Sequence, residues 1–433
     1  MDPIPQKRPD HLDRKRSAAR VQTSPWTVGG ILAVLLASLQ ATAAPPASLS
    51  VPAGAGALAP GLTLDPIGGE VVLTWLEPVE NGHALRYSRF DGEAFANAEE
   101  IARGDNWFVN WADTPGLHIT PDGRWVAHWL ERSGEATYAY DIVVAHSDDG
   151  GQHWSEPQLP HRDGTQTEHG FVSYFDDAAG TGLVWLDGRH TGGGHGHDEN
   201  THGTAGAMTL RSALLGTRER FVDGRELDAR VCDCCQTASA VTDEGPVVVY
   251  RDRSEDEIRD IAIVRRTRDG WSEPLAVHAD GWQIGGCPVN GPDVIARAQT
   301  VVVAWFTMAD NTPRVQLALS TDGGRQFGPP RQFSSGSALG RVQLVWLDDG
   351  FVLGWMDQTR DGAALELARF SIGGALQTRR TLARLDAGRI SGMPQLAVRG
   401  NELLMAWTTS HQNGTDGRRI TGISAARLPL DDL

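Results

Sequence analysis

One short pattern recurs along the whole chain: an apolar, β-rich run that ends in an aromatic residue and is followed by polar residues. Successive aromatic residues of this pattern are 54, 56, 65, 55, 50 and 52 residues apart. A period of this length fits one small antiparallel sheet, which cannot bury both faces until neighbouring sheets stack against it in a ring. The seven copies are VVLTW to Trp75, WVAHW to Trp129, GLVW to Trp185, VVVY to Tyr250, VVVAW to Trp305, FVLGW to Trp355 and LLMAW to Trp407.

Around each copy the order of features is constant. A short strand and a turn precede the aromatic strand, and a polar loop, a third strand, a tight turn and a fourth strand follow it. The sequence therefore predicts an all-β protein, a β-propeller of four-stranded antiparallel blades, with seven blades and with six as the alternative. The last copy stops after three strands, at Ile420 to Arg427, so its fourth strand is expected from the segment just after the leader.

The first 44 residues are expected to be a secretory signal peptide, with 45–433 forming a single propeller domain. Residues 7 to 20 are basic, residues 28 to 39 are apolar, and Ala41-Thr42-Ala43 provides a small-residue cleavage pattern. An uncleaved anchor is the alternative, but the apolar run is short for a span of about 20 residues. A periplasmic or secreted protein is expected, with no membrane attachment after cleavage and with cysteines that are able to form disulfides.

The charge balance limits the possible partners. The chain has 39 basic and 55 acidic residues, and the leader holds six of the basic and three of the acidic ones, which leaves 33 against 52. Nucleic acid is therefore not expected as a partner, because phosphate binding needs a basic face. Both lysines, Lys7 and Lys15, lie in the leader. The remaining chain accordingly has no phosphate-loop lysine and no Schiff-base lysine.

Two turns between third and fourth strands share the form S-x-D-x-G-x-x-aromatic, at Ser147 to Trp154 and Ser320 to Phe327. In such a turn the carboxylate accepts backbone N–H bonds and glycine allows a positive φ. The form resembles the Asp box, or BNR repeat, of the sialidase superfamily, in which it is a folding element far from the active site. The resemblance implies a sialidase-like propeller over the whole mature chain.

Sialidases use three arginines on the substrate carboxylate, an Asp acid/base and a Tyr/Glu nucleophilic pair. Their Phe-Arg-Ile-Pro segment has no match here, the nearest text being Thr114 to Ile119, and they are typically six-bladed. The resemblance therefore implies the superfamily without assigning a catalytic residue.

Candidate site residues come instead from the predicted faces of the ring. Strands alternate in direction, so the loops that enter each blade and the loops between second and third strands emerge together, at the mouth of the central channel. A glycosidase needs an acid and a base or nucleophile carboxylate there, and an anionic glycan or other anionic small molecule needs guanidinium groups. The candidate catalytic carboxyls are Glu168, Asp113 and Asp252, and the candidate substrate-binding arginines are Arg189, Arg251, Arg253 and Arg341.

The alternative for these arginines is pairing with neighbouring acids, among them Asp252, Glu257 and Asp260.

All four cysteines fall in two entrance loops, at the fourth and fifth blades. One interpretation is one or two disulfides that clasp the blades. The other is a thiolate metal site with His169 as a further ligand, for which sulfur would favour copper or zinc. The C-x-C-C spacing lacks the specificity of paired C-x-x-C elements. The candidate metal ligands are Cys232, Cys234, Cys235, Cys287 and His169.

The long spacing before Tyr250 comes from an insertion in the third blade, Gly192 to Gly203. Its histidines and two acids form either a metal-binding loop or a solvated insertion. The histidines concerned are His190, His195, His197 and His202.

Two functions of different classes follow. The first is an exported sialidase-like propeller that binds or hydrolyses an anionic glycan at the channel mouth, an exo-sialidase-like glycoside hydrolase if it is an enzyme. The second is a cysteine- and histidine-based metal-binding or redox propeller. A rim that binds a protein partner is a third option.

Overall fold

The computed structural model describes residues 45–192, 206–216, 220–334, 336–412 and 419–433. Its strands form seven four-stranded antiparallel blades in a ring. The predicted all-β class and the predicted seven blades are therefore confirmed. The expected leader, and the histidines at positions 195, 197 and 202, lie outside the described residues.

The blades follow one another along the chain, and in blades one, two, three, five and six the sheet runs in sequence order from its innermost to its outermost strand. Blade one comprises β2 (Leu58–Leu64), β3 (Val71–Val79), β4 (Gly82–Phe90) and β5 (Glu99–Gly104), and blade two comprises β6 (Gly116–Ile119), β7 (Trp125–Arg132) and β8 (Tyr140–Ser147). Blade three comprises β9 (His169–Asp177), β10 (Gly180–Asp187), β11 (Met208–Gly216) and β12 (Phe221–Val231), and blade four comprises β13 (Ala238–Thr242), β14 (Gly245–Arg251), β15 (Ile261–Thr267), β16 (Gly270–Trp271) and β17 (Leu275–His278).

The remaining blades repeat this order. Blade five comprises β18 (Asp293–Arg297), β19 (Thr300–Thr307), β20 (Arg314–Ser320) and β21 (Arg331–Gln332), and blade six comprises β22 (Ala338–Trp346), β23 (Gly350–Thr359), β24 (Gly362–Ser371) and β25 (Leu376–Leu385). Blade seven comprises β26 (Gln395–Arg399), β27 (Glu402–Gln412), β28 (Arg419–Pro429) and β1 (Ala47–Leu49). Short 3₁₀-helices lie at Ala309–Asn311, Arg389–Ser391 and Leu430–Asp432.

The recurring aromatic residue lies on the second strand of every blade, and six of the seven are buried. Several of these tryptophans donate Nε1–H to a carboxylate two residues later, since residues i and i+2 share one face of a strand. The bonds are Trp75 to Glu77 at 3.0 Å, Trp129 to Glu131 at 2.7 Å and Trp185 to Asp187 at 2.9 Å. Each of these three tryptophans is thus buried while its only polar side-chain atom is satisfied.

The ring closes by combining the two ends of the described chain. Strand β1 pairs antiparallel with β28, with Ala47 opposite Arg427 and Leu49 opposite Ala425. The outermost strand of the last blade therefore comes from Ala47–Leu49, at the start of the described residues, as the sequence predicted.

The two Asp-box-like turns have the same hydrogen bonds. Ser147 Oγ donates to Asp149 Oδ1 at 2.8 Å, and Ser320 Oγ donates to Asp322 Oδ1 at 2.7 Å. In each turn the carboxylate also accepts a following backbone N–H, and two successive glycines have a positive φ. These bonds hold the hairpin end without any group from the channel mouth, which indicates a structural role.

Blade two has a very short fourth strand. Val144 and Gln158 exchange two backbone hydrogen bonds of 2.9 Å as an isolated bridge, and Ser155 N–H donates to the carbonyl of His146 at 2.8 Å. Pro157 and Pro160 flank this contact and lack an N–H, so the ladder cannot continue. The segment after Gln158 is consequently free to turn inward between blades two and three.

Across the described residues, no helix has the length and apolar character needed to cross a membrane.

Candidate functional site

The entrance loops of blades two to seven meet at one face of the ring. Thr237 donates to the carbonyl of Phe171 at 2.8 Å, and Asn290 donates to the carbonyl of Leu339 at 3.2 Å. Arg341 donates to the carbonyl of Gly392 at 2.8 Å. The loops that the sequence assigned to one face therefore contact one another there.

The loop at 110–115 crosses this mouth from blade two. The carbonyl of Ala112 accepts a bond from Gln236 Nε2 of blade four at 3.1 Å, and the guanidinium of Arg341, in blade six, lies 5.0 Å from the ring centre of Trp111. Asn110 Oδ1 accepts the N–H of Ala112 at 2.8 Å, which fixes the turn. Trp111 is thus held beside the loops of blades four and six as a half-buried aromatic surface.

Arg341 is a cation surrounded by neutral acceptors. Its guanidinium donates to Ser391 Oγ and to the carbonyls of Gly392 and Gly388, at 2.8, 2.8 and 3.1 Å. Among the described residues no carboxylate pairs with it, and burial lowers its pKa to about 10. The exposed Arg389 guanidinium lies 5.9 Å from the Trp111 ring centre. We call Trp111, Arg341 and Arg389 the mouth cluster, an aromatic face with two cations.

Two of the three candidate catalytic carboxyls lie together. Asp113 Oδ2 and Glu168 Oε1 are each 2.7 Å from the hydroxyl oxygen of Tyr140. A phenol donates only one proton, so one of the two carboxyls must be protonated and donate to Tyr140. Burial is the main cause that raises the pKa of Asp113 to about 7 and that of Glu168 to about 8.

This carboxyl pair is buried beneath the mouth. Asp113 is 1 %, Glu168 4 % and Tyr140 0 % exposed. A Cβ on Gly170 would lie 1.9 Å from Asp113 Oδ2, so glycine is required for this packing. Asp113 Oδ1 also accepts the N–H of Phe171 at 2.8 Å, which joins blades two and three. The geometry therefore gives the pair a proton-sharing, blade-linking role.

The shared proton predicts a pH effect on stability. Because the folded pKa of Asp113 is raised, the stability it contributes is complete below its unfolded pKa and is lost as pH rises through about 7. Asp113→Asn keeps a donor for Tyr140 and an acceptor for Phe171 but does not titrate. The wild type should therefore lose stability that the variant keeps. The difference in free energy of unfolding between variant and wild type should grow by about 1–2 kcal/mol from about pH 5 to 8.

Urea denaturation across this pH range measures the effect. Asp361→Asn, on an exposed hairpin, is the matched control and should follow the wild type at every pH. Parallel curves of unfolding free energy against pH for Asp113→Asn and the wild type would contradict the raised pKa of Asp113.

Asp252, the third candidate carboxyl, lies apart in blade four. Its Oδ1 accepts the N–H of Arg253 at 2.6 Å, while burial, with Asp228 and Asp260 nearby, raises its pKa to about 6. Among the described residues, Asp252 makes no hydrogen bond to Asp113, Glu168 or Tyr140.

Arg253 and Arg189 are paired with acids. Arg253 contacts Asp233 at 2.9 Å and Glu257 at 2.6 Å, and the neighbouring Arg259 contacts the same two carboxylates. Arg189 pairs with Asp187 at 2.7 Å and with Asp163 at 3.2 Å. Both arginines therefore have their charge neutralised within the protein.

Arg251 is 1 % exposed and donates to three backbone carbonyls, those of Asn290, Arg259 and Phe306, at 3.0, 2.6 and 2.7 Å. Burial lowers its pKa to about 9. All these donors are used inside the fold, so the geometry favours a structural link between blades four and five. Of the four candidate arginines, Arg341 has the surroundings best suited to an external anion.

The four cysteines converge, as their two loops predicted. Cys232 pairs with Cys235 and Cys234 pairs with Cys287, with Cα atoms 5.8 and 6.1 Å apart. The second pair joins the entrance loops of blades four and five. Arg259 Nη1 lies 3.6 Å from Cys232 Sγ. This arrangement corresponds to the disulfide interpretation; the thiolate metal site stays a hypothesis for the reduced protein.

His169 lies among carboxylates. Its Nδ1 is 3.3 Å from Asp141 Oδ1, and its Nε2 is 3.3 Å from Asp163 Oδ2 and 3.7 Å from Asp187 Oδ1. Desolvation lowers its pKa, but these carboxylates outweigh that effect and raise the pKa to about 9. Among the described residues, the metal-capable groups that contain His169 are formed with Asp141, His161, Asp163 and Asp187 and contain no cysteine.

His190, the described histidine beside the insertion, is mostly exposed and lies 3.9 Å from Glu226.

Sequence reasoning missed several residues that the geometry singles out. Trp111 and Arg389 lie in loops already assigned to the mouth, but nothing in the sequence showed that they would meet. The run His161-Arg162-Asp163 followed by His169 was the available signal for an imidazole and carboxylate cluster. Tyr140 gave no signal, because its partners come from other loops.

Neither the known protein-family models nor the curated proteins contain a match to this chain. Solved structures similar in fold include the endosialidase of phage phi92, with a TM-score of 0.47, 10% identity, and coverage of 89% of this chain and 68% of that one. A neuraminidase-like protein from a flat-faced bat isolate of Peru has a TM-score of 0.43, 8% identity, and coverage of 89% and 98%. At these identities the similarity concerns the fold alone.

Proposed function

We propose that this chain is an exported, sialidase-like propeller that binds an anionic glycan at the channel mouth. The observation that carries the proposal is Arg341, a largely buried guanidinium that contacts only neutral acceptors and lies against Trp111. Burying a cation without a counter-charge is costly, and a carboxylate or sulfate of a ligand would supply that counter-charge. Arg389 adds a second cation on the same ring.

The mouth cluster fits a sugar better than a simple ion. An aromatic ring offers an apolar surface on which the C–H face of a pyranose can pack, and the planar guanidinium group offers paired donors to an acidic group. The acidic remainder of the protein disfavours polyanions such as nucleic acid, so a short glycan with one acidic group is the best match.

Binding is favoured over hydrolysis. Asp113 and Glu168 have the raised pKa of a candidate acid, but with Tyr140 they are at most 4 % exposed. A glycosidase carboxyl must touch the scissile bond. Asp113, Glu168 and Tyr140 instead connect the loops that carry Trp111. The proposed role of the protein is therefore to bind the glycan without cleaving it.

The test is a screen of the full chain against a glycan array, together with hydrolysis assays on aryl glycosides that include sialosides. The expected result is binding to sialylated or sulfated glycans, weakened by salt, with no turnover. Turnover of an aryl sialoside would favour the enzyme. Inactivity together with absence of binding across the array would defeat the proposal.

A second function rests on the cysteines. The sulfur atoms of Cys232, Cys234 and Cys287 lie within 4.8 Å of one another, and Arg259 lies beside Cys232. Such a cluster suits a redox disulfide or, when reduced, copper or zinc. Metal analysis of freshly isolated protein, with thiol titration before and after reduction, tests this function. Absence of metal together with fully oxidised, unreactive cysteines would contradict it.

A protein partner on the rim would be sought by cross-linking.

A further inference from the structure

We propose a binding site for one divalent transition-metal ion between blades two and three, with Asp141, His161 and His169 as ligands. The site is built from residues other than the mouth cluster and the cysteines, so it is independent of both proposed functions.

The three ligands come from elements that the fold brings together. Asp141 is the second residue of β8, the third strand of blade two, and His169 begins β9, the innermost strand of blade three. His161 lies on the segment between them, which turns inward after the short pairing of Gln158. Tyr140 and Glu168 contact each other on one side of the backbone. Their sequence neighbours Asp141 and His169 therefore point to the opposite side.

The distances between the three donor atoms are typical of atoms that bind one metal ion. Asp141 Oδ1 lies 3.3 Å from His169 Nδ1 and 3.9 Å from His161 Nε2, and all three atoms lie within 4.8 Å of one another. Metal bonds of about 2.1 Å in tetrahedral geometry place neighbouring ligand atoms about 3.4 Å apart. These separations therefore leave room for an ion at the centre.

Buried polar atoms without hydrogen bonds mark the same place. Asp141 Oδ1 and His161 Nε2 are buried atoms that make no hydrogen bond among the described residues. The whole His161 side chain is buried, with His161 only 5 % exposed. Buried polar atoms almost always have partners, and such exceptions call for one. The third ligand atom, His169 Nδ1, makes a long hydrogen bond of 3.4 Å with the carbonyl of Tyr140 and lies 3.3 Å from Asp141 Oδ1, so a bound metal would replace one weak hydrogen bond.

The other ring nitrogens face a carboxylate, as metal-bound histidines usually do. Asp163 Oδ2 lies 3.4 Å from His161 Nδ1 and 3.3 Å from His169 Nε2. Arg189 in turn contacts Asp163 at 3.2 Å. Asp163 Oδ2 and His169 Nε2 make no hydrogen bond among the described residues, and in a metal-bound site N–H groups directed at Asp163 would leave the other ring nitrogens with lone pairs towards Asp141.

Charge also favours a divalent ion. Around the two histidines, the three carboxylates Asp141, Asp163 and Asp187 outnumber the one arginine, Arg189. The two rings stack face to face with centres 3.9 Å apart and an interplanar angle of 5°. This stacking places one nitrogen of each ring near Asp141 Oδ1.

The site has an open side. Asp141 and His161 border a cavity of about 360 Å³ that is also lined by Arg162 and Thr165. Three protein ligands and an open position are typical of a metal that binds water or a small ligand. Two imidazoles and one carboxylate suit zinc, iron(II) or manganese(II).

The test uses full-length protein that has been stripped with a chelator and then titrated with Zn²⁺ and Co²⁺. Calorimetry should give one Zn²⁺ per chain, and bound Co²⁺ should show visible d–d bands without a sulfur charge-transfer band. Asp141→Asn and His161→Gln should each weaken binding at least about 100-fold, and Asp163→Asn about 10- to 100-fold. His153→Gln, at an exposed histidine bound to Asp149, should bind like the wild type.

Folding is checked by circular dichroism, and Zn²⁺ should raise the Tm of the wild type but not that of Asp141→Asn. Since Asp141 is partly exposed, its amide variant is the one best able to fold. No stoichiometric metal in the wild type would overturn the proposal and favour a network of protonated histidines. A sulfur charge-transfer band that disappears in Cys234→Ser would also overturn it.

Discussion

Replacing both Cys234 and Cys287 with alanine is expected to lower the free energy of unfolding by about 4 kcal/mol. The disulfide joins residues 53 positions apart, and it connects the entrance loops of blades four and five. Its loss restores to the unfolded chain the conformational freedom of that whole loop. Chemical denaturation in oxidising buffer measures the difference.

The matched control is Cys232→Ala with Cys235→Ala. This pair closes a separation of only 3 residues, so its removal should cost about 1.5 kcal/mol. Addition of a reductant should bring the wild type down towards the Cys234 and Cys287 variant. An unchanged stability in that variant, with four reactive thiols in denatured wild-type protein, would contradict the disulfide assignment.

Trp305→Ala is expected to lower the free energy of unfolding by about 4 kcal/mol. Trp305 is fully buried in a hydrophobic cluster that also contains Val249 and Ile263 of blade four and Ala318 of its own blade. Its Nε1 donates to Asp280 Oδ2 at 2.7 Å. Truncation would open a cavity between two blades and leave that carboxylate with one donor fewer.

Trp154→Ala is the control for this prediction. Trp154 lies half-buried in an Asp-box-like turn, where its ring contacts Trp125 edge to face. Its truncation should cost well under half as much, because water can occupy the space. Equal losses for Trp154 and Trp305 in urea denaturation would mean that the recurring aromatic residues are not the anchors between blades.

The fold could be predicted because its main determinants repeat along the chain. Each copy of the aromatic pattern lies on a second strand, so their number gave the number of blades. The incomplete last copy also gave the ring closure, since a three-stranded terminal blade needs an outer strand from elsewhere. The tryptophan-to-carboxylate bonds were present in the sequence too, as the W-x-acid spacing at Trp75, Trp129 and Trp185.

The site could be predicted only as far as the face on which it lies. Asp113 and Glu168 were chosen for their loops, and both are there, but their shared partner Tyr140 comes from a third segment. Residues that meet across blades have no fixed sequence spacing. The register between neighbouring blades, which decides the contact, is a property of the assembled ring.

The arginines show the same limit. Arg251 and Arg341 are both arginines of the predicted mouth and both donate to neutral acceptors, yet Arg251 is 1 % exposed whereas Arg341 is only partly buried and lies beside Trp111. The difference arises from which loop covers each side chain. The sequence identifies each arginine as a cation. Only the fold decides whether its guanidinium group is enclosed by the protein or accessible to a ligand.

The affinity of an anionic glycan for Arg341→Gln tests the central claim most directly. Using the strongest ligand of the array, calorimetry should show a loss of at least about 10-fold relative to the wild type, since a charge-assisted bond is worth about 1.5–3 kcal/mol. Arg325→Gln, on an Asp-box-like turn and paired with Glu244, should bind unchanged. Equal affinities for the wild type and Arg341→Gln would contradict a glycan site at the mouth cluster.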